Sequence, residues 1–395
     1  MRQDFQLLAV REKFMLRCRL SGILFFLCYF YLLPAPAAEP GFADAPPATG
    51  PVIKVGERYL VPYTVTLADD VSFTMIPVPG GKFRLGSPAN EPAREVNEGP
   101  PLEVEVPPFW IGQAEVTWGE YKLYMASLDQ VKNPDGVTAA PLTAENAADA
   151  VTIPSKLYEP TYTFEHGDNP RLPAVTMSQF GARQYTKWLS RRTGQIFRLP
   201  NEIEWEYACR AGSDTPYSHG NDPEQLGEYA WTAENSDEVP HLVMTKKPNA
   251  WGLYDMHGNV LEWTLDAYTP AGYDAAVQAP AGLAATNWPK QLFPRVLRGG
   301  SFEFSADRAR SAARTPSDDK TWYDTDPNRP KSPWWLTDDP ARGVGMRIIR
   351  PVAPPTAEER VKMWEIDNPQ TERGVTERLK QGRGTKGVVL PQAVK

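Results

Sequence analysis

The stretch from Asn249 to Trp263 constrains the fold more than any other part of the chain, because turn glycines, carboxylates and large aromatic residues are packed into fifteen positions. Gly252 and Gly258 permit backbone turns that a side chain would obstruct. Asp255 and Glu262 can meet only if the chain between them curls. A curled loop of this kind brings carbonyl oxygens and two carboxylates to one point, which is the ligand set that Ca²⁺ prefers.

A second interpretation of the same residues stays open at this level. Asp255 is also the residue type that accepts hydrogen bonds from backbone amides in a turn, and Glu262 fits an exposed strand position beside a buried Trp263. The spacing does not match the familiar calcium loop motif. The residues alone therefore indicate a tightly turned loop, and a calcium ion is one of two explanations for it.

The first 38 residues have the pattern of a secretory signal peptide. A basic leader is followed by an apolar run from Leu20 to Leu33 and then by an Ala-x-Ala pattern that supplies a cleavage site. The apolar run is too short for a comfortable membrane span. A start at Met15 rather than Met1 gives a leader of more ordinary length. We therefore predict a secreted or periplasmic protein with no membrane span after the leader is removed.

Charge and cysteine content narrow the function classes further. Residues 1–38 carry five Lys or Arg and two Asp or Glu, so their removal changes the net charge from −7 to −10. An acidic surface of this kind argues against nucleic acid as a partner. Cys18 and Cys28 are lost with the leader, which leaves Cys209 as the one cysteine of the mature chain. An intrachain disulfide is therefore impossible, and we expect Cys209 to behave as a small buried hydrophobic residue.

Composition and periodicity predict one main domain between less regular segments. The Pro- and Ala-rich stretch 39–65 is predicted to be a linker and lead-in. The domain is predicted to cover 66–352, and beyond it 353–395 is expected to be a polar tail. Three aperiodic stretches inside the domain are predicted to be surface insertions. They lie near 129–170, 267–294 and 315–341.

Local patterns predict where the strands and helices lie. Strands with apolar alternation are expected at 73–78 and 82–86, joined as a hairpin, at 308–314, and as a final strand at 343–350. Thr117 with Glu120 and Asn201 with Glu204 have the spacing of capping boxes, so each pair is expected to begin a helix. Another helix is expected to run from Ser178, its cap, to Gly194.

Seven blocks of the sequence, taken in order, resemble the signature blocks of the formylglycine-generating enzyme (sulfatase-modifying factor) family. The resemblance covers roughly residues 70 to 351. It implies an α+β fold of the complex C-type-lectin-like type, with short strands, few helices, long loops and bound calcium. The blocks are Pro79 to Phe83, Glu115 to Thr117, Pro173 to Val175, Arg198 to Ala208, Asn249 to Trp263, Arg298 to Ser301 and Gly345 to Arg347.

The resemblance also assigns metal ligands. Asp255, Gly258, Val260 and Glu262 match the family's calcium ligands, the middle two through their carbonyl oxygens. We therefore predict a structural Ca²⁺ at this loop. Asn235 is the one trace of a second calcium site.

The family's founding reaction converts a cysteine of an unfolded sulfatase to formylglycine, with O₂ and a Cu(I) ion held by two thiolates shortly after the Gly-Gly-Ser sequence. Soft thiolate ligands select Cu(I). In this chain Phe304 stands at the first thiolate's position by count, so copper is not expected. Ser301 matches the family's active-site serine and is the one candidate catalytic position. Leu261 replaces a tryptophan that is usual before the Glu-Trp pair, which alters one wall of the substrate groove.

Three function classes follow from this pattern. The first is a non-catalytic binding or scaffold domain in the cell envelope, with a peptide or glycan partner. The second is an oxidase of altered chemistry, similar to the exported pyoverdine-maturation branch or the ergothioneine-type iron branch of the superfamily. The iron branch needs a histidine cluster, whereas histidines 166, 219, 241 and 257 are predicted to lie apart on surface loops. The third, formylglycine generation itself, is disfavoured by the missing thiols.

Overall fold

The structure is a computed structural model that describes residues 39–48, 52–132, 157, 160–273, 282–317, 322, 332–336 and 339–380. The predicted leader, 1–38, and most of the predicted insertion near 129–170 lie outside these residues. Within them the chain forms four small sheets and a few helices joined by long loops. The predicted α+β class is confirmed.

The first strands begin within the segment predicted to be a linker and lead-in, 39–65. Strands β1, β2 and β3 form an antiparallel sheet in the order β1-β3-β2. Arg350 fixes the start of this sheet, because its guanidinium donates to the carbonyl of Pro40 at 2.5 Å and lies 4.5 Å from the ring centre of Trp110. The bounds are β1 Phe42–Ala43, β2 Ile53–Val55 and β3 Arg58–Leu60.

The predicted hairpin over 73–86 is wrong, because its two arms belong to different sheets. One arm is β5 (Val71–Val78), which pairs with β4 (Tyr63–Ala68) and β8 (Phe109–Gly112). The other is β6 (Gly81–Leu85), which pairs with β7 (Leu102–Val106). Apolar alternation identifies a strand and its buried face, but it does not specify which strand lies beside it.

The predicted final strand over 343–350 is likewise two short strands. Strand β12 (Val344–Gly345) pairs in parallel with β9 (Leu261–Ala267), whereas β13 (Ile349–Pro351) pairs with β8. Arg347 lies in the segment that connects these two strands and thus the two sheets. The two remaining strands are β10 (Arg295–Arg298) and β11 (Thr315–Pro316). Strand β9 also pairs with β10, and the sheet order is β11-β10-β9-β12.

The predicted helix caps are confirmed at two helices. The Ser178 hydroxyl accepts a hydrogen bond from the amide of Gly181 at 3.0 Å, and Gly194 ends the same helix in the left-handed conformation. Asn201 and Glu204 form a reciprocal capping box at the next helix. The helices are α1 Trp118–Lys132, α2 Pro160–Thr163, α3 Gln179–Thr193, α4 Glu202–Arg210, α5 Ala357–Trp364 and α6 Pro369–Lys380.

Short 3-10 helices are spread through the loops. They cover Val96–Glu98, Pro223–Glu228, Leu283–Ala285, Ala306–Ala309 and Asp339–Gly343.

An aromatic cluster joins α1 to α3 and forms the centre of the larger core. Tyr121 and Tyr124 of α1 are fully buried, as the periodicity predicts, and they pack on Tyr185 and Trp188 of α3 with ring centroids 5.3 Å and 5.7 Å apart. Burial of side chains this large stabilises the fold by on the order of 1.5–3 kcal/mol each. This cluster fixes the N-terminal half of α1 against α3.

The predicted half-exposed strand over 308–314 is wrong, since Arg310 and Arg314 are each about 3% exposed and take part in ion pairs. Arg310 donates to both Glu91 and Glu98, at 2.7 Å and 2.5 Å. Arg314 binds Glu202 through two nitrogens, at 2.5 Å and 2.9 Å. Buried guanidinium groups are stable here because acceptors from distant segments surround them.

The described ends of the predicted insertions and tail pack on the core. Phe164 lies 4.8 Å from the ring of Trp118, and Trp335 lies 5.6 Å from the ring of Tyr121. The predicted tail contains two helices, and Asp367 between them binds the guanidinium of Arg295 at 2.7 Å. The proline and charge content of these segments predicted surface insertions and a polar tail. Their packing was missed because the residues they contact lie far away in the sequence. Among the described residues, no helix is both long and apolar enough to cross a membrane.

Candidate functional site

The central loop turns as tightly as its glycines predict. Asp255, Gly258 and Asn259 all have positive φ angles, of 56°, 84° and 58°. A side chain at Gly258 would meet the carbonyl oxygen of Trp231 at 2.1 Å, so only glycine fits there. The loop then enters β9, which begins at Leu261.

Two of the predicted calcium ligands have carboxylates, and both are buried. Asp255 is 2% exposed and Glu262 is fully buried. The Oδ2 atom of Asp255 accepts a hydrogen bond from the amide of Met244 at 2.8 Å, while its buried Oδ1 atom has no hydrogen-bond partner among the described residues. Burial raises the pKa of Asp255 to about 6, and the charge of Glu262 adds to this effect.

Glu262 is held by two neighbours that the sequence analysis did not assign to it. Arg347 donates from Nη2 to Oε1 at 2.8 Å and from Nε to Oε2 at 3.1 Å. The indole nitrogen of Trp205 donates to Oε2 at 2.7 Å. Arg347 also binds the carbonyls of Gly112 and Tyr254, at 2.9 Å and 2.8 Å. The guanidinium thus ties β9 to two other segments.

Glu115 is a third buried carboxylate at this point, and sequence reasoning missed it. Its oxygens accept hydrogen bonds from the side-chain amide of Asn259 at 2.7 Å and from the backbone amide of Val260 at 3.0 Å. Burial and the charges of Asp255 and Glu262 raise its pKa well above the ordinary value. The signal for it was present, since Glu115 opens one of the seven family-like blocks. We refer to Glu115, Asp255, Glu262 and Arg347 as the carboxylate cluster.

The charge of the carboxylate cluster fits a divalent cation. Three ionised carboxylates against one guanidinium leave two negative charges, which protons or a cation must offset in a buried site. The unpartnered oxygen of Asp255 is one atom that can bind such a cation. Within the described part of the chain, however, no group of three or more His, Cys, Asp or Glu side chains has an arrangement that holds a metal. A Ca²⁺ here would therefore need carbonyl ligands such as those predicted at Gly258 and Val260, and calcium stays a prediction.

Ser301 lies in a sharply turned loop after β10. Gly299 and Gly300 before it have φ angles of 99° and 75°, and a side chain at Gly300 would meet the Cα atom of Ala309 at 2.9 Å. The Ser301 hydroxyl accepts a hydrogen bond from the amide of Glu303 at 3.2 Å. Ser301 is 1% exposed. The candidate catalytic serine therefore stabilises its own turn and lies below the surface.

Phe304 follows in the same loop, at the position that the resemblance gives to a thiolate. Its ring centre lies 5.0 Å from the guanidinium of Arg308. Its carbonyl accepts a hydrogen bond from the amide of Ala233 at 3.0 Å. The loop beside Ser301 thus places an aromatic ring against a cationic side chain.

Leu261, which stands where the family usually has tryptophan, is 2% exposed in β9.

Cys209 is fully buried in α4, as predicted. Its sulfur lies 3.6 Å from the hydroxyl of Ser311 and 3.7 Å from Nε2 of His257. Burial raises the pKa of the thiol to about 12, so the thiolate that binds metals or acts as a nucleophile does not form near neutral pH.

The prediction that all four histidines are surface residues is wrong for His257, which is 2% exposed. Its Nδ1 donates to the carbonyl of Ala309 at 2.7 Å, and its Nε2 accepts from the amide of Ser218 at 3.1 Å. Burial lowers the pKa of His257 to about 4, so the ring is neutral at pH 7. Both ring nitrogens are therefore engaged, and the side chain joins two loops.

The chain is similar to known proteins over most of its length. The family model of the sulfatase-modifying factor enzyme 1-like domain matches residues 67–324. A formylglycine-generating enzyme from Thermomonospora curvata is 28% identical over 279 residues, which is 62% of this chain and 89% of that protein. The mouse protein named inactive C-alpha-formylglycine-generating enzyme 2 is 29% identical over 271 residues, which is 61% of this chain and 79% of the mouse protein.

Solved structures share the fold. PvdO from Pseudomonas aeruginosa matches with a TM-score of 0.53 and 26% identity, over 71% of this chain and 94% of PvdO. Variable protein 1 of Treponema denticola matches with a TM-score of 0.51 and 23% identity, over 74% of this chain and 99% of that protein, and this likeness concerns the fold alone. The family predicted from the seven sequence blocks is confirmed: the chain belongs to the sulfatase-modifying factor enzyme 1-like family.

Proposed function

We propose that this chain is an exported sulfatase-modifying-factor-like protein that acts as a binding or scaffold domain in the cell envelope, without copper oxidase activity. The observation that carries the proposal is the loop after Ser301. There Phe304, whose ring lies beside the guanidinium of Arg308, stands by sequence count at the position that the family resemblance gives to a copper-binding thiolate. A phenyl ring has no lone pair with which to bind Cu(I).

The one cysteine of the mature chain cannot replace the missing pair. Cys209 belongs to α4 and packs among the side chains of a different hydrophobic cluster from Phe304. Its raised pKa opposes formation of a thiolate. A single thiol also supplies only one of the two soft ligands that the family's reaction uses. These properties favour a binding role over redox catalysis.

The exposed rim of the Ser301 loop supplies a surface for a partner. Glu303 and Ser305 are exposed, and the ring of Phe304 is half-buried between them. The amide of Ala306 donates to the carboxylate of Glu234 at 3.3 Å, which anchors the loop to the segment before β9. An anchored loop with a carboxylate and an aromatic ring suits a peptide or glycan ligand, because little side-chain entropy is lost on binding.

An oxidase of altered chemistry is the second candidate. It is favoured by the retention of Ser301 and by His166, whose ring centre lies 5.4 Å from that of Phe302. Oxygen uptake in the presence of Fe(II) or Cu(I) tests this alternative. Turnover that is lost in both Ser301→Ala and His166→Ala would favour it over the binding role.

An aldehyde assay tests the loss of the family's founding reaction. The mature protein is reconstituted with Cu(I) and incubated under O₂ with a Cys-x-Pro-x-Arg peptide, and the product is measured by mass spectrometry. We expect no formylglycine, whereas the enzyme from Thermomonospora curvata, run in parallel, converts the peptide. Conversion by this chain above the copper-only background would contradict the proposal.

The binding role has its own test. Wild-type protein and Glu303→Gln are applied to peptide and glycan arrays at physiological ionic strength. We expect selective retention by the wild type that is weakened at least tenfold in the variant, since the exposed carboxylate lies on the rim. Equal retention of both proteins on every array feature would remove the Ser301 rim as the binding surface.

Export is tested by sequencing the N-terminus of the protein recovered from the periplasm or the medium. The proposal predicts a mature chain that begins at Glu39. Protein that stays in the cytoplasm with an intact leader would contradict it.

A further inference from the structure

A cavity of about 490 Å³ lies beside the N-terminus of α4. Its lining shares no residue with the carboxylate cluster or with the Ser301 loop. The lining combines short apolar side chains with polar and charged groups. The residues that matter for its chemistry are Ile203, Asp266, Tyr273, Ala284, Asn287 and Arg314.

Asp266 is the unusual group in this cavity. It is 4% exposed, and its two oxygens accept hydrogen bonds from the backbone amides of Glu202 at 2.7 Å and Asn287 at 2.8 Å. No cationic nitrogen of the described residues forms a salt bridge with it, although Arg314 lies in the same wall and binds Glu202 instead. The carboxylate is therefore buried beside a second acid without a cation of its own.

The electrostatic cost of this arrangement is large. Burial raises the pKa of Asp266 to about 7, and the charge of Glu202 contributes in the same direction. The amide hydrogen bonds and Arg314 offset only part of it. A cation that enters the cavity would stabilise the ionised carboxylate, since each Asp266 oxygen retains a lone pair beyond the one its amide uses.

The walls of the cavity are held in place before any ligand arrives. Gly272 has a φ of 86°, and a side chain there would meet the carbonyl oxygen of Gly99 at 1.8 Å, so this turn is pressed against the neighbouring loop. The Asn287 side chain donates to the carbonyl of Ala267 at 3.0 Å and to the hydroxyl of Thr269 at 3.2 Å. A cavity with fixed walls loses little entropy when a ligand binds.

We propose that this cavity binds the basic side chain of a peptide partner, with its ammonium or guanidinium group on Asp266 and its alkyl part against Ile203 and Ala284. Basic side chains combine an apolar stem with a cationic end, which is the combination that this cavity complements. The chain's own Arg314 does not fill this role, because its guanidinium is engaged by Glu202 and lies 4.7 Å from the ring centre of Tyr273. The inference goes beyond the proposed function, because it holds whether or not the Ser301 loop binds a partner.

The test uses blocked amino acids as probes. Nα-acetyl-lysine methylamide and Nα-acetyl-arginine methylamide are titrated into the mature chain by calorimetry. Nα-acetyl-norleucine methylamide, which has the four side-chain carbons of lysine without the ammonium group, is the neutral control. We expect at least one cationic probe to bind at least tenfold more tightly than norleucine. Asp266→Asn should remove this preference, whereas Glu372→Gln, at an exposed acid of α6, should retain it.

A second variant covers the case in which Asp266→Asn does not fold. Ala284 is an exposed residue of the cavity rim. Ala284→Phe should therefore close the cavity while leaving Asp266 and its amide partners in place, and it should weaken the cationic probes at least tenfold. Three results would each overturn the inference. The norleucine probe binds as tightly as the cationic probes, neither cationic probe binds, or a variant that folds binds the cationic probes as tightly as the wild type does.

Discussion

Arg347 binds Glu262 through two nitrogen atoms, and both side chains are almost completely inaccessible to solvent. A predicted calcium ligand therefore lies in a buried ion pair. Because the same guanidinium also binds the carbonyls of Gly112 and Tyr254, the pair joins β9 to the end of β8 and to the start of the central loop.

Replacement of Arg347 should destabilise the fold strongly. Arg347→Met would leave the charge of Glu262 buried beside Glu115 and Asp255, and breaking a buried pair in this way costs about 3–5 kcal/mol. The free energy of unfolding, measured in urea, checks this value. Lys362→Met is the control, since Lys362 is exposed and its loss should cost less than about 1 kcal/mol. A similar small loss for both variants would show that the ion pair does not hold the loop.

Removal of calcium should lower the melting temperature. Binding to the folded state alone stabilises by roughly 2.7 kcal/mol at a hundredfold excess over Kd. Because each kcal/mol shifts the melting temperature of a large domain by about 2–4 °C, the expected shift is about 5–10 °C. Asp255→Asn should weaken the response, because it neutralises the one carboxylate of the cluster that has an unpartnered oxygen. Glu372→Gln should respond as the wild type does. Identical melting curves in EDTA and in millimolar Ca²⁺, for protein shown to be metal-free, would exclude the ion.

Glu120 should make stability depend on pH. Burial raises its pKa from the ordinary value of 4.5 to about 7, although the Thr117 hydroxyl and amide donate to its carboxylate. Since the folded pKa is raised, the stabilising effect of the proton is complete below about pH 4.5 and is lost as pH rises through 7. Glu120→Gln removes this dependence. The variant should gain about 2–3 kcal/mol relative to wild type between pH 5 and pH 8, and a constant difference between the two proteins would contradict the assignment.

Asp367 should anchor the C-terminal helices. It accepts from the guanidinium of Arg295 at 2.7 Å and 2.9 Å, and it also pairs with Arg183. These two buried cations lower its pKa. Asp367→Asn would leave them without a carboxylate, so we expect a loss of about 3 kcal/mol in the free energy of unfolding. The neighbouring acid Glu365 is the control, because its side chain is 35% exposed, whereas that of Asp367 is 16% exposed. Equal effects of Asp367→Asn and Glu365→Gln would argue against an anchor.

Local signals were sufficient for the helix starts and for the turns of the central loop. The caps at Ser178 and Asn201 depend on residues three positions apart, and the glycine turns depend on single residues. The same holds for Cys209, whose place on an apolar helix face predicted its burial.

Features that depend on distant partners could not be predicted in this way. Glu115 and the Asn259 amide that binds it are 144 residues apart, and Arg310 is 212 residues from Glu98. An arginine without a visible partner is expected at the surface, and burial is favourable only once the fold supplies the acid. The strand pairing was predicted wrongly for the same reason, since β6 pairs with β7 rather than with the preceding strand β5.

Anaerobic reconstitution with Cu(I), followed by metal analysis of the desalted mature protein, tests the central claim most directly. A chain with Phe304 in the Ser301 loop and a single buried Cys209 should retain no stoichiometric copper, and Cys209→Ser should behave in the same way as the wild type. One tightly held copper ion per chain that survives the Cys209→Ser substitution would show that another set of ligands supports the redox centre, and it would contradict the account.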